Sequence, residues 1–445
     1  MQGSTITAPT TTRPAPVTPE AGAARPQRLT GIDIARGVAL IGMFTVHVTV
    51  GGDGATRLPG PIEWWLTAPS GRASVLFMLL AGVSLSVIRA RNTASSTGAA
   101  IRRRGVALIL LGLLLSATVW PASILEHYGV LFLLAPILLS MTTRRLAVIT
   151  AMLAVIGPVV HLWTPVWSDA QPLDGPVIGW LYQTVVGLWF NGVYPLVVWL
   201  PIFALGLLIG RLDLTDRRIA GALAGAGVAV VVVVQLTSTA FAAVGVEPAG
   251  FEDFGELDGT TVTDDGAEVD AFASADAAGG PDDEAAFDEC LAEFDEGVVS
   301  EDCEAWFFAD ESGGEFAGAI EGGERTPLPE LLSTGEHSGR TAWMLESAAI
   351  AAAILGVALA LPHLGRRLLA PLAALGSMSL TAYLLHIVLV RDVYDQYVDG
   401  AWTLWAQFGT LVALQALLVA VAVVIRRRFR RGPAEWALKM VTGAT

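Results

Sequence analysis

Ten stretches of this chain run for most of a bilayer's thickness with hardly a charge, near 33–50, 72–88, 104–121, 127–141, 146–163, 186–210, 219–244, 341–361, 368–390 and 403–425. Hydrocarbon offers no partner to a peptide group, so a run of about 20 apolar residues must bond its own backbone as a helix. The composition agrees, with 53% hydrophobic residues and only 16% charged. The expectation is an all-α, polytopic integral membrane protein of about ten transmembrane helices, multi-pass in the plasma membrane.

Net charge divides the chain in two. Of its formal −15, residues 245–340 hold −26, from 28 acidic residues against two Arg. The remainder, 25 basic against 14 acidic residues, is +11. The short loops carrying Arg89 and Arg91, Arg102 to Arg104, Arg144 and Arg145, Arg211 with Arg217 and Arg218, Arg366 and Arg367, and the run from Arg426 alternate with loops holding only Arg57, Arg325, Arg340 and Arg391. Basic residues stay on the cytoplasmic side, so both termini are expected there and the acidic loop outside.

The domain layout follows. Residues 1–30, rich in Thr, Pro and Ala with no apolar core, form a disordered cytoplasmic tail and not a signal peptide. Helices 1–7 occupy 31–244 and helices 8–10 occupy 341–425, with a largely disordered acidic loop at 245–340 between them and a basic tail over 426–445. Val177 to Asn191 reads as an interfacial or re-entrant piece before the sixth span. Cys290 and Cys303 are the only cysteines and both fall in the acidic loop, where an oxidising compartment would let them close a small disulfide ring. No thiol nucleophile is therefore available in the membrane.

The chemistry must lie in the intramembrane polar residues, since ionisable groups there are costly and are kept for a role. The first span, RLTGIDIARGVALIGMFTVHV, carries Asp33, Arg36 and His47. Eleven steps from Arg36 to His47 bring the helix to within about 20° of whole turns over about 16 Å. The two lie on one face at opposite depths, with Asp33 one turn before Arg36 as its ion partner. Arg72 opens the second span from outside, and Glu126 with His127 opens the fourth. In GSMSLTAYLLH, the spacing of Gly376, Ser379, Tyr383 and His386 predicts one polar stripe facing protein. His47, Arg72, Glu126, His127 and His386 would then share the outer level. Their bland alternatives are interfacial anchors, satisfied helix-end histidines and packing contacts between helices. His161, His337 and His363 are given no role. No phosphate-binding loop, nucleophile elbow, zinc-protease or dinucleotide signature is present.

The opening RLTGIDIARGVALIGMFTVHV, followed by SGRASVLFMLLAGVSLSV, resembles the transmembrane acyltransferases. Two branches are similar: the heparan-alpha-glucosaminide N-acetyltransferase-like proteins, and the acyltransferase type 3 family with its Arg, ten residues, His pattern. The segment LAALGSMSLTAYLLHIVL resembles a C-terminal block of bacterial relatives of the first branch. The resemblance implies an acyl-CoA-dependent O- or N-acyltransferase, with acetyl-CoA the foremost co-substrate and no metal. The acyl group would pass to a glycan, glycolipid or other cell-envelope acceptor. In that reading Arg36 and Asp33 serve the cofactor, and His47 is general base or acyl carrier. His386 or Arg72 polarises the carbonyl or steadies the acceptor, and Glu126 orients a histidine. The partners implied are the lipid bilayer and the acceptor, with no nucleic acid; a homodimer is left open. Two rivals stand beside it, a transporter or lipid flippase using Asp33, Arg36 and His47 as a polar pathway, and a non-catalytic protein presenting the acidic loop.

Overall fold

The computed structural model describes residues 29–48, 58–91, 96–119, 123–168, 186–190, 194–243, 260–262, 268–270, 331–332, 334, 338–398, 403–429 and 431–443. The tail through residue 28, residues 177–185 and 191 of the expected interfacial piece, nearly all of the acidic loop and both cysteines lie outside them. The helices are α1 (Thr30–His47), α2 (Gly60–Thr67), α3 (Arg72–Arg91), α4 (Ser96–Thr118), α5 (Leu125–Ser140), α6 (Thr143–Ser168), α7 (Leu196–Ile209), α8 (Arg217–Ala242), α9 (Thr341–Ala360), α10 (His363–Leu368), α11 (Ala370–Gly376), α12 (Ser379–Val398), α13 (Leu404–Arg428) and α14 (Pro433–Thr442). One antiparallel ribbon, β1 (Thr260–Val262) with β2 (Glu268–Asp270), sets Thr261 opposite Val269. It is a small departure from the all-α expectation.

Among the described residues, five helical segments are long and apolar enough to cross a membrane, namely Arg72–Arg91, Thr143–Trp163, Arg217–Phe241, Thr341–Ala360 and Leu404–Arg428. The pair Ala370–Gly376 and Ser379–Arg391, bent by 88°, makes a sixth if counted as one span. The chain is thus a multi-pass helical membrane protein. Exposed Leu110, Leu113, Val155, Val233, Leu236 and Val424 give α4, α6, α8 and α13 the apolar outer faces that lipid requires.

Two expected spans differ in form. The sixth is helical as α7 only from Leu196, after Pro195 at the N-cap. Proline biases the residue before it away from helix and has no N–H to continue one. The ninth is broken between Gly376 and Ser379. There the Leu380 and Thr381 N–H groups donate to Glu435 Oε1 at 2.7 and 3.2 Å, and the Thr381 hydroxyl donates to Oε2 at 2.6 Å. Those N–H groups would otherwise have bonded back toward Gly376 and Ser377. A carboxylate at the helix start takes them instead, and α12 begins anew.

The four most extensive helix pairs are α8 with α9, α4 with α5, α3 with α7, and α1 with α11. Each is sealed by a glycine from both partners: Gly227 with Gly356, Gly105 with Gly129, Gly82 with Gly206, and Gly37 with Gly376. A Cβ on Gly82 would meet the Phe203 carbonyl, and one on Gly206 would meet that of Leu79. Helices gain no hydrophobic drive by leaving lipid for each other, so close backbone packing is what binds them. At the centre lies α1, buried along most of its length and packed on α3, α9, α11 and α12. Gln415 of α13 ties to it, donating to Thr45 Oγ1 at 2.9 Å and to the Ile41 carbonyl at 3.3 Å.

Candidate functional site

His47 is the last residue of α1, half-buried, and its Nδ1 lies 3.0 Å from Nε2 of His386. The two rings stack with centroids 5.1 Å apart and planes 13° from parallel. His386 is 1% exposed, walled by Phe44 at 5.7 Å and Tyr383 at 5.1 Å between ring centroids. The Tyr383 hydroxyl accepts from the Ile124 N–H at 3.4 Å. One nitrogen of the histidine pair donates and the other accepts. If His47 Nδ1–H donates, His47 Nε2 keeps a lone pair, and His386 fixes both tautomer and ring plane from behind.

Toward the other end of α1, Arg36 Nη1 lies 3.6 Å from Asp33 Oδ1, and Nη2 donates to the Ser84 hydroxyl of α3. The Arg36 side chain keeps 22% exposure, and Arg104 is within electrostatic reach of Arg36, Arg431 and Glu435. Cations from α1, α4 and the connection before α14 thus gather at one end of the helix that ends in His47.

Arg72 and Glu126 do not join the histidine pair through a hydrogen bond. Arg72, the first residue of α3, pairs with Glu346 of α9 at 3.7 Å and donates to the Ala68 carbonyl at 3.5 Å. Glu346 is buried and also accepts from Gln235 Nε2 of α8 at 2.7 Å. Glu126 orients no histidine by hydrogen bond. Its Oε1 accepts from the Ser116 hydroxyl at 3.1 Å, and its other oxygen packs against Gly112, because the close approach of α4 to α5 turns the carboxylate that way. His127 meets Tyr194 at 5.6 Å, Tyr194 meets Trp199 at 5.2 Å, and Trp199 meets Trp343 at 6.0 Å, an aromatic file from α5 to α9. Tyr194 is within electrostatic reach of Tyr128, Tyr383 and Glu126. Buried Glu126 Oε2, His127 Nδ1, Tyr128 Oη and Ser347 Oγ find no hydrogen-bond partner among the described residues.

Of the stripe Gly376, Ser379, Tyr383 and His386, only the last two form ring contacts at this site, and Gly376 packs on α1 across the break. Glu346, Gln235 and Glu435 were not picked out from the sequence. Glu346 had a usable signal, being the only charged residue in 341–361. His161, given no role, contacts the Phe190 carbonyl at 2.7 Å. Among the described residues, no group of three or more His, Cys, Asp and Glu is placed to hold a metal ion.

Residues 28–239 match the family model described as heparan-alpha-glucosaminide N-acetyltransferase, catalytic, and residues 329–445 match a protein of unknown function, DUF418. No curated protein and no solved structure matches the chain. The first match holds Asp33, Arg36, His47, Arg72 and Glu126, while His386, Glu346 and Glu435 lie in the second. The histidine pair therefore joins two separately matched segments, and the two matches support a membrane acyltransferase family like that of heparan-alpha-glucosaminide N-acetyltransferase, to whose catalytic region residues 28–239 are similar.

Proposed function

We propose that the chain moves an acyl group, acetyl in the simplest case, from cytoplasmic acyl-CoA to a hydroxyl or amine on the outer side. The acceptor is a glycan, glycolipid or other cell-envelope molecule. About ten spans with both termini cytoplasmic, in the plasma membrane, place the ends of α1 at opposite faces. The observation that carries the proposal is the pairing of His47 with His386 at 3.0 Å on the helix that also holds Arg36.

Arg36, with Arg104 and Arg431 in electrostatic reach of each other's region, offers charge-assisted bonds to phosphate oxygens of CoA. His47 takes the acceptor's proton as its oxygen or nitrogen attacks the thioester carbonyl. The new C–O or C–N bond forms, the C–S bond breaks, and the proton leaves on the CoA thiol. In a two-step variant His47 Nε2 attacks the thioester carbonyl first, and the C–S bond breaks to release CoA thiolate and leave acyl-His47. The acceptor then attacks that acyl carbon, the C–N bond to His47 breaks, and the acceptor's proton passes to the thiolate. In either route the imidazolium or acyl-imidazole of His47 is held in place by His386. Tyr128 Oη, His127 Nδ1 and Ser347 Oγ, which have no hydrogen-bond partner among the described residues, supply polar contacts for an acceptor.

Acetyl-CoA binding by calorimetry and acyl transfer by mass spectrometry test this on purified protein. Arg36→Ala should weaken binding by roughly tenfold to a hundredfold, the loss of charge-assisted bonds. His47→Ala should keep binding and lose transfer by about a hundredfold or more. His386→Phe should lower transfer while leaving binding intact. Failure of wild type to bind acetyl-CoA or any longer acyl-CoA would overturn the proposal. A transporter or flippase would then take its place, since a helix broken by 88° beside α1 is a feature of such proteins.

A further inference from the structure

Helix α14 presents an apolar face outward. At about 100° per residue, Pro433, Trp436, Ala437, Met440 and Val441 fall within an arc of about 140°. Trp436 is 58% exposed, Met440 65% and Val441 77%. The opposite face buries Leu438 and Thr442 as the helix packs on α4 and α12. A helix end exposed to water would not set its largest apolar side chains there, whereas one lying in the headgroup layer would.

The charge around that face has one sign. Exposed Arg427, Arg428 and Arg431 precede α14, Lys439 flanks its apolar arc, and exposed Arg102 and Arg103 stand on the neighbouring α4. Phe429, 65% exposed, sits among the arginines, and the run begins where the membrane-crossing α13 ends. The one carboxylate of α14, Glu435, is turned inward and occupied by the backbone of α12.

We propose that α14 and the arginines before it form a membrane-surface anchor that gathers anionic lipid, clasped through Glu435 to the helix carrying His386. The apolar arc enters the acyl boundary, and the cations meet lipid phosphates at the same depth. Neither element alone selects lipid: the arc gives depth and the cations give preference for charge.

The test uses the full chain in vesicles of phosphatidylcholine and of phosphatidylcholine mixed with phosphatidylglycerol. Trp436 fluorescence is taken as the difference between wild type and Trp436→Phe. Acrylamide in the water should fail to quench it, and a nitroxide at headgroup depth should quench it. At equal fractions, nitroxide-labelled phosphatidylglycerol should quench more than nitroxide-labelled phosphatidylcholine. That excess should vanish at high salt and in a variant with Arg427, Arg428, Arg431 and Lys439 changed to Gln. Acrylamide quenching as free as in open water would overturn the anchor. Equal quenching by the two labelled lipids would overturn the preference for anionic lipid, and both results come from the wild-type chain against one conservative substitution.

Discussion

Glu346 carries the only charge in its span, and its buried carboxylate is held from two sides: Gln235 donates to one oxygen, and Arg72 pairs with the other at 3.7 Å, beyond hydrogen-bond distance. Removing one member of a buried ion pair leaves the other uncompensated, at a cost of about 3–5 kcal/mol. Glu346→Ala should therefore lower the unfolding free energy in detergent by about 3 kcal/mol, measured by denaturant titration, while Glu346→Gln should lose less by keeping the bond to Gln235. A Glu346→Ala protein as stable as wild type would show the pair to be idle. Arg36 and His47 were legible in the sequence because one helix fixes their relation by arithmetic alone. His386 was legible as a polar residue in an apolar span, but its partner was not, since 339 residues separate the two rings and only packing brings them together. Glu126 misled for a similar reason. Depth is readable from a sequence; direction around the helix axis toward Ser116 is not.

Among the helices, the break in the ninth expected span shows what periodicity omits. LAAL favours helix, while Gly376 and Ser379 are residue types that end one helix and cap the next, a weak local signal that does not by itself fix the break. The cause is Glu435, 55 residues beyond Leu380. Gly376, at the end of α11, abuts the Asp33 carbonyl and the Gly37 nitrogen of α1. A methyl group there would meet that backbone and the Cβ of Arg36, none of it the free end of a flexible side chain. Gly376→Ala should push α1 off α11, lowering stability by about 1–3 kcal/mol in thermal unfolding and reducing acyl transfer, because Arg36 and His47 travel with α1. Unchanged stability and transfer would mean that the contact yields freely. That several segments are long and apolar enough to cross a membrane needed no tertiary knowledge, because composition and length suffice for a segment in hydrocarbon; among the described residues five or six of the ten expected spans meet that measure.

For the molecule as a whole, the acidic segment and the basic remainder call for two different compartments, and orientation can be read from the native cysteines. Cys290 and Cys303, the only ones in the chain, should react with a membrane-impermeant maleimide in intact cells once reduced. Labelling only after lysis would reverse the proposed orientation. The outer apolar faces of α4, α6, α8 and α13 were implied by the hydropathy of their segments; which faces turn inward was not, because nearly uniform apolar helices carry little angular signal.

The paired glycines have a consequence for how such a protein can change over time. Where a side chain blocks a neighbour, a smaller residue opposite can restore the fit. At Gly37 and Gly376, Gly82 and Gly206, Gly105 and Gly129, or Gly227 and Gly356, the obstacle to a larger residue includes the partner's main chain, which no second substitution can trim. Those eight positions admit no compensating pairs. Variation is left to the lipid-facing surfaces, where any residue of similar solubility in hydrocarbon serves as well as another.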